Sequence, residues 1–208
     1  MHGWNRFRST TAPRWVLALK VALAGLLLTG ALFPDVGGFA GKGMAFRLPL
    51  FLAPSLIVPI HHAVRRRAEP DRTYPWALDA GLTIPFLLDT LGNAVGLYDS
   101  VDSTDDVLHA LNWWFLMGGI TTSIGWNAVR RATATPRWLV WLAGTGVGGL
   151  AIIGWEIAEY GVMKAGVGNL SLTYGDTLFD LALSSIGGAL GAGAVVWSVA
   201  RSSERSNP

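Results

Sequence analysis

Apolar residues in this chain fall into long blocks separated by short polar clusters, and they do not alternate at the period of a strand or of an amphipathic surface helix. A bilayer core about 30 Å thick takes about 20 apolar residues in helical form. Six blocks meet that length, at roughly 15–33, 46–64, 76–98, 106–126, 138–160 and 176–199. The pattern predicts an all-α fold, a polytopic transmembrane bundle of six spans forming one domain over 15–200, with an N-terminal tail over 1–14 and a disordered tail over 201–208. Within the second block Pro49, Pro54 and Pro59 recur every five residues. A proline cannot donate to the carbonyl four residues back, so this span is expected to be kinked.

Charge then orients the bundle. Arg6, Arg8 and Arg14 precede the first block, Arg65, Arg66, Arg67 and Arg72 follow the second, Arg130, Arg131 and Arg137 follow the fourth, and Arg201 and Arg205 follow the sixth. These are twelve of the sixteen basic residues, and a six-span chain puts all of them on one side. The positive-inside rule makes that side cytoplasmic, with both termini there. Trp15, Trp76, Trp126, Trp138 and Trp197 fall near the same interface, as an aromatic belt requires. The first block, with arginines before it, resembles a signal peptide. Its 19 residues exceed the usual apolar region of about 7–15, however, and Thr29-Gly30-Ala31 is a poor cleavage site, so it reads as an uncleaved span.

Composition excludes several classes. With 51% hydrophobic residues, 14% charged and a mean hydropathy of +0.39, the chain requires lipid as its solvent and reads as a multi-pass membrane protein whose first partner is the bilayer. A net charge of +2 carried at the ends of apolar blocks, with no continuous basic stripe, argues against nucleic-acid binding. The absence of cysteine removes disulfides, thiolate metal ligands and cysteine nucleophiles. Gly144 and Gly148, and Gly187 and Gly191, stand four apart, a spacing that lets helix backbones approach closely; packing within the bundle is the expected use.

Acidic residues concentrate where the basic ones do not. Asp35, Asp89, Asp99, Asp102, Asp105, Asp106, Glu156, Glu159, Asp176 and Asp180 all fall on the extracytoplasmic side or in the outer third of the spans. Helical spacing pairs them: Asp89 with Asn93, Asp106 with His109, Glu156 with Glu159, and Asp176 with Asp180 each share one helix face. A carboxylate inside a membrane costs about 2.5–3.5 kcal/mol on insertion scales, so several at one depth point to an inward-facing functional site. Asp89, His109, Glu156 and Asp180 lie too deep to cap helices. For Asp105 and Asp176, N-capping and ligation both fit, and Ser103 with Asp106 has capping-box spacing. Asp99 and Asp102 read as solvated loop residues, and Asp79, near a helix start, as a complement to the helix dipole.

One imidazole among many carboxylates suits a divalent cation of the Mg, Mn, Ca or Fe kind ahead of zinc or copper. The candidate metal ligands are Asp106, His109, Glu159, Asp176 and Asp180, and the candidate catalytic carboxylates are Asp89 and Glu156. Only Asp106-x-x-His109 has the spacing of a di-iron pair, and nucleophile elbow, P-loop and His-Glu-x-x-His motifs are missing.

Asp106-Val-Leu-His109, Trp155-Glu156-Ile-Ala-Glu159-Tyr160 and Gly175-Asp176-Thr-Leu-Phe-Asp180-Leu, followed by Gly187-Gly188-Ala189, resemble the YjdF-like family of bacterial inner-membrane proteins over 86–193, about half the chain. The resemblance implies an inner-membrane location and a grouping of His109, Glu156, Glu159, Asp176 and Asp180, without implying a reaction. Family members carry His and Glu on the helix where this chain has Asp89 and Asn93. Three functions follow as expectations: a metal-dependent enzyme acting on a lipid or lipid-linked substrate, a cation- or proton-coupled transporter, and a structural or accessory subunit whose polar layer joins helices. Helices broken near mid-membrane favour transport, and a fixed cavity open to the outer leaflet favours an enzyme.

Overall fold

The computed structural model describes residues 2–130, 135–166 and 172–204. Among these the chain is helical: α1 (Arg14–Leu32), α2 (Met44–Arg66), α3 (Trp76–Gly81), α4 (Ile84–Ala94), α5 (Leu97–Ser100), α6 (Thr104–Arg130), α7 (Arg137–Lys164) and α8 (Tyr174–Glu204). The only β pairing among the described residues is an isolated bridge between Ser9 and Tyr74. Of the basic residues that orient the chain, Arg131 and Arg205 lie outside the described residues, as does the tail beyond 204.

Four helices, α1, α2, α7 and α8, are long and apolar enough to cross a membrane. Their outer faces carry exposed Val21, Ile57, Leu150 and Phe179, while much of the interior is polar, with Ser55, Thr83, Thr90, Thr121 and Ser184 buried. Apolar side chains outward and hydrogen-bonding groups between helices is the arrangement expected of helices that pack in lipid. The 27-residue α6 is not among these four; it is the central helix, packed against α3, α4, α7 and α8.

The break in the bundle falls elsewhere than the sequence indicates. The predicted third span, 76–98, is two short helices of 6 and 11 residues, α3 and α4, joined at Leu82 and Thr83. Pro85, in the first turn of α4, has no N–H for the Gly81 carbonyl, and its ring crowds that turn. The second span, expected to kink, runs as one helix from Met44 to Arg66 with all three prolines inside it. One reason is visible at Pro59. It leaves the carbonyl of Ser55 without its helical donor, and the ammonium of Lys20 on α1 donates to that oxygen instead.

Lys20 also meets the Asp79 carboxylate on α3 at 2.7 Å, and its Nζ lies 3.4 Å from Thr83 Oγ1 at the break. Asp79 is completely buried, and the Tyr74 hydroxyl donates to its second oxygen. Asp79 is therefore in the first turn of α3, as its dipole reading requires, but its main partner is a cation from another helix. Burial, followed by the hydrogen bond to Asp79, pushes the Tyr74 phenol well above its ordinary pKa.

The N-terminal segment is not a free tail. His2–Phe7 forms a 3-10 helix whose Trp4 is buried against Val140 and Val199, closing the end of the bundle that also holds Trp15, Trp76 and Trp126. Small residues set the helix spacings. A Cβ on Gly187 or Gly191 would collide with the carbonyl oxygens of Ala110 or Trp114 on α6, and one on Gly144 or Gly148 with Thr121 or Met117 of α6. Both glycine pairs therefore serve contacts within this chain.

Candidate functional site

The end of the bundle away from the N-terminal cap collects the chemistry. Helix α6 begins there and presents Asp105 and His109, four residues apart and so on one face. Helix α8 also begins there and presents Asp180 and Ser184 at the same spacing, while α7 runs the other way and brings Glu156 and Glu159 close to its end. The glycine contacts that press α8 onto α6 begin three residues beyond Ser184, which brings these two faces within bonding distance.

His109 is the centre of the arrangement. Its Nδ1 lies 3.1 Å from Ser184 Oγ, and its Nε2 lies 3.5 Å from Asp180 Oδ1 and 3.7 Å from Asp105 Oδ1. The last two separations are long for hydrogen bonds. They are close to what shared ligation produces, since two donors about 2.1 Å from one ion at a tetrahedral angle stand about 3.4 Å apart. Ligating atoms of Asp105, His109 and Asp180 all lie within 4.8 Å of one another, and so do those of His109, Glu156 and Glu159. The two groups share the imidazole.

Burial makes the set demanding. Asp180 and Glu156 are 2% and 6% exposed, and Ser184 is fully buried. Both carboxylate oxygens of Glu156 are enclosed without a hydrogen-bond partner, as is Oδ1 of Asn112. A buried carboxylate with no donor must find a proton or a cation. Beside this set is a cavity of about 90 Å³ walled by Phe51, Phe86, Trp113 and Trp155 and edged by Asp89, Asp105, His109 and Glu159.

The structure brings together four of the seven residues singled out from sequence: His109, Glu156, Glu159 and Asp180. Asp89 lines the same cavity but is otherwise engaged. Its carboxylate takes the Arg47 guanidinium at 2.7 Å and the Tyr98 hydroxyl at 2.6 Å, and the Asn93 amide donates to its backbone carbonyl at 2.9 Å. Asp106 points to the exposed side of α6 and joins neither group. Asp176, also outside both groups, lies in the first turn of α8, where its backbone N–H is capped by the Thr173 hydroxyl at 3.2 Å. Asp105, for which capping and ligation both fitted the sequence, stands in the group where Asp106 was expected. Its signal was the four-residue spacing to His109, which faces a helix neighbour as well as the three-residue spacing does. Ser184 carried the same signal relative to Asp180, whereas Arg47 and Tyr98 carried none.

The chain matches no known protein family, no curated protein and no solved structure against which it was compared.

Proposed function

We propose that this chain is a multi-pass protein of the bacterial inner membrane, with six crossings and both termini in the cytoplasm, that holds a divalent cation among Asp105, His109, Asp180, Glu156 and Glu159 and uses it in an enzymatic reaction on a lipid or lipid-linked substrate. The observation that carries this reading is Glu156: a nearly inaccessible carboxylate with both oxygens unpartnered, beside a second glutamate and an imidazole. Four carboxylates and one imidazole favour Mg, Mn, Ca or Fe over softer metals. The arginine distribution supports the orientation, and the YjdF-like resemblance supports the compartment.

The chemistry is hydrolytic or transferring. The cation would polarise a phosphoryl or carbonyl oxygen of the substrate and lower the pKa of a bound water, and a carboxylate not engaged as ligand would take that water's proton. Asp105, whose side chain is 49% exposed, stands at the mouth of the set, and Asp180 and Ser184 close its floor.

Metal analysis of protein purified in detergent under metal-replete conditions tests the proposal. One divalent ion per chain is expected in the wild type, with loss of most of it in His109→Ala and in Asp180→Ala. Wild-type protein without stoichiometric metal sinks the reading.

The divided third span favours a second reading. A helix interrupted at Thr83, with Lys20 and Asp79 beside the interruption, has the design of a cation- or proton-coupled transporter. Proton uptake into liposomes driven by a cation gradient would select it over the enzyme.

A further inference from the structure

Helices α2 and α7 lie side by side without packing along their length, and between them runs a groove of about 280 Å³. Its floor and walls are apolar. Phe46 and Leu50 of α2, each nearly half exposed, face Ala151, Ala158 and Val162 of α7. Gly154 contributes no side chain, and a Cβ there would meet nothing within 4 Å. Phe51, Trp155 and Glu159 line both this groove and the cavity beside His109, so the Phe51 and Trp155 rings, 6.3 Å between centroids, are the partition between the two.

Polarity along the groove is graded. The Met44 end of α2 and the Lys164 end of α7 meet at the end of the bundle that holds the candidate site, and Arg47 and Glu159 lie there. Leu50, Ala151 and Gly154 lie farther from that end, where no charged residue lines the groove. Only one nitrogen of Arg47, Nη1, is engaged by Asp89, and the guanidinium stacks 5.4 Å from the Phe51 centroid, beside the partition. A guanidinium fork with free donors is suited to a phosphoryl oxyanion. An arginine paired with Asp89 through one nitrogen only, beside Glu159, with an apolar trough behind it, suits an amphiphile lying parallel to the helices whose phosphoryl oxygens take the guanidinium's remaining donors.

We infer that the α2–α7 groove admits one bilayer lipid with an anionic phosphoryl head group, its chain along Leu50, Ala151 and Gly154 and its head on Arg47, facing the cavity through Phe51 and Trp155. The inference rests on the cation-site reading for what happens to the head group. It specifies the substrate as an intact membrane lipid that enters sideways, not a soluble molecule that enters from water.

The test uses the full-length protein in phosphatidylcholine nanodiscs doped with phosphatidic acid bearing a photoreactive acyl chain, with crosslinked peptides mapped by mass spectrometry. Labelling is expected to concentrate at least several-fold on residues 46–51 and 151–162 over the remaining lipid-facing helices. Gly154→Leu, which fills the trough, should remove that excess with metal content unchanged, and Arg47→Gln should abolish the preference for phosphatidic acid over a phosphatidylcholine probe with the same chain. Uniform labelling, labelling indifferent to Gly154→Leu, equal labelling by the two probes in the wild type, or crosslinks between two copies of the chain through the groove would each overturn it. Groove labelling in protein that carries no metal would instead uphold the groove and reject the cation site.

Discussion

Ser184, fully buried on α8, stands 3.1 Å from Nδ1 of His109 on α6 and is the imidazole's partner on the side away from the carboxylates. A serine so enclosed is badly placed to attack a substrate. Its geometry is that of an outer partner: with Nδ1–H donating to the Ser184 hydroxyl, Nε2 would keep a lone pair toward Asp105 and Asp180. Ser184→Ala should therefore weaken the cation without removing it, by roughly 10-fold or more. Chelator competition on the purified variant measures this, and an unchanged affinity would remove Ser184 from the site.

Gly187 and Gly191 hold α8 against the carbonyls of Ala110 and Trp114. Overpacking of this kind costs about 1–3 kcal/mol in a core, and here it also separates Asp180 from His109. Gly187→Leu or Gly191→Leu should lower the melting temperature in detergent and reduce bound metal together. Gly149→Ala on α7, where added atoms meet nothing within 4 Å, should leave both unchanged and is the control.

The Lys20–Asp79 pair makes a sharper thermodynamic case. Lys20→Met leaves a completely buried carboxylate without its cation, a change that costs about 3–5 kcal/mol. The double variant Lys20→Met with Asp79→Leu removes both charges and should recover most of that loss in a thermal or denaturant melt. A double variant no more stable than the single one would show that the two residues do not act as a pair.

Because the chain has no cysteine, orientation can be read with introduced thiols. Asp71→Cys, between α2 and α3, should react with a membrane-impermeant maleimide only after lysis, and Asp102→Cys, before α6, in intact cells. The reverse pattern would invert the bundle.

Much of the fold was legible because long apolar blocks map directly onto helices. The block at 15–33 is α1 at Arg14–Leu32, and the fifth and sixth blocks are α7 and α8 with longer ends. Which proline interrupts a helix was not legible locally. Pro85 broke a span whose freed carbonyl lies at a helix end, while Pro59 did not, because a lysine 35 residues away in sequence donates to Ser55. The site was half legible for a geometric reason. One residue is about 100° of helix rotation, so choosing Asp106 over Asp105 turned the carboxylate from the cavity to the outside. Periodicity cannot settle that choice when both positions are acidic. Partners far apart in sequence, such as Arg47 with Asp89 and Lys20 with Asp79, left no trace in either segment.

That last pair has a consequence for biosynthesis. Lys20, the seventh of the 19 residues of α1, is synthesised 59 residues before its counterion. At about 5–20 residues per second of synthesis, the lysine waits roughly 3–12 s for Asp79. During that interval the ammonium lacks the carboxylate that neutralises it in the folded chain. Until α3 follows, α1 cannot complete its polar contacts.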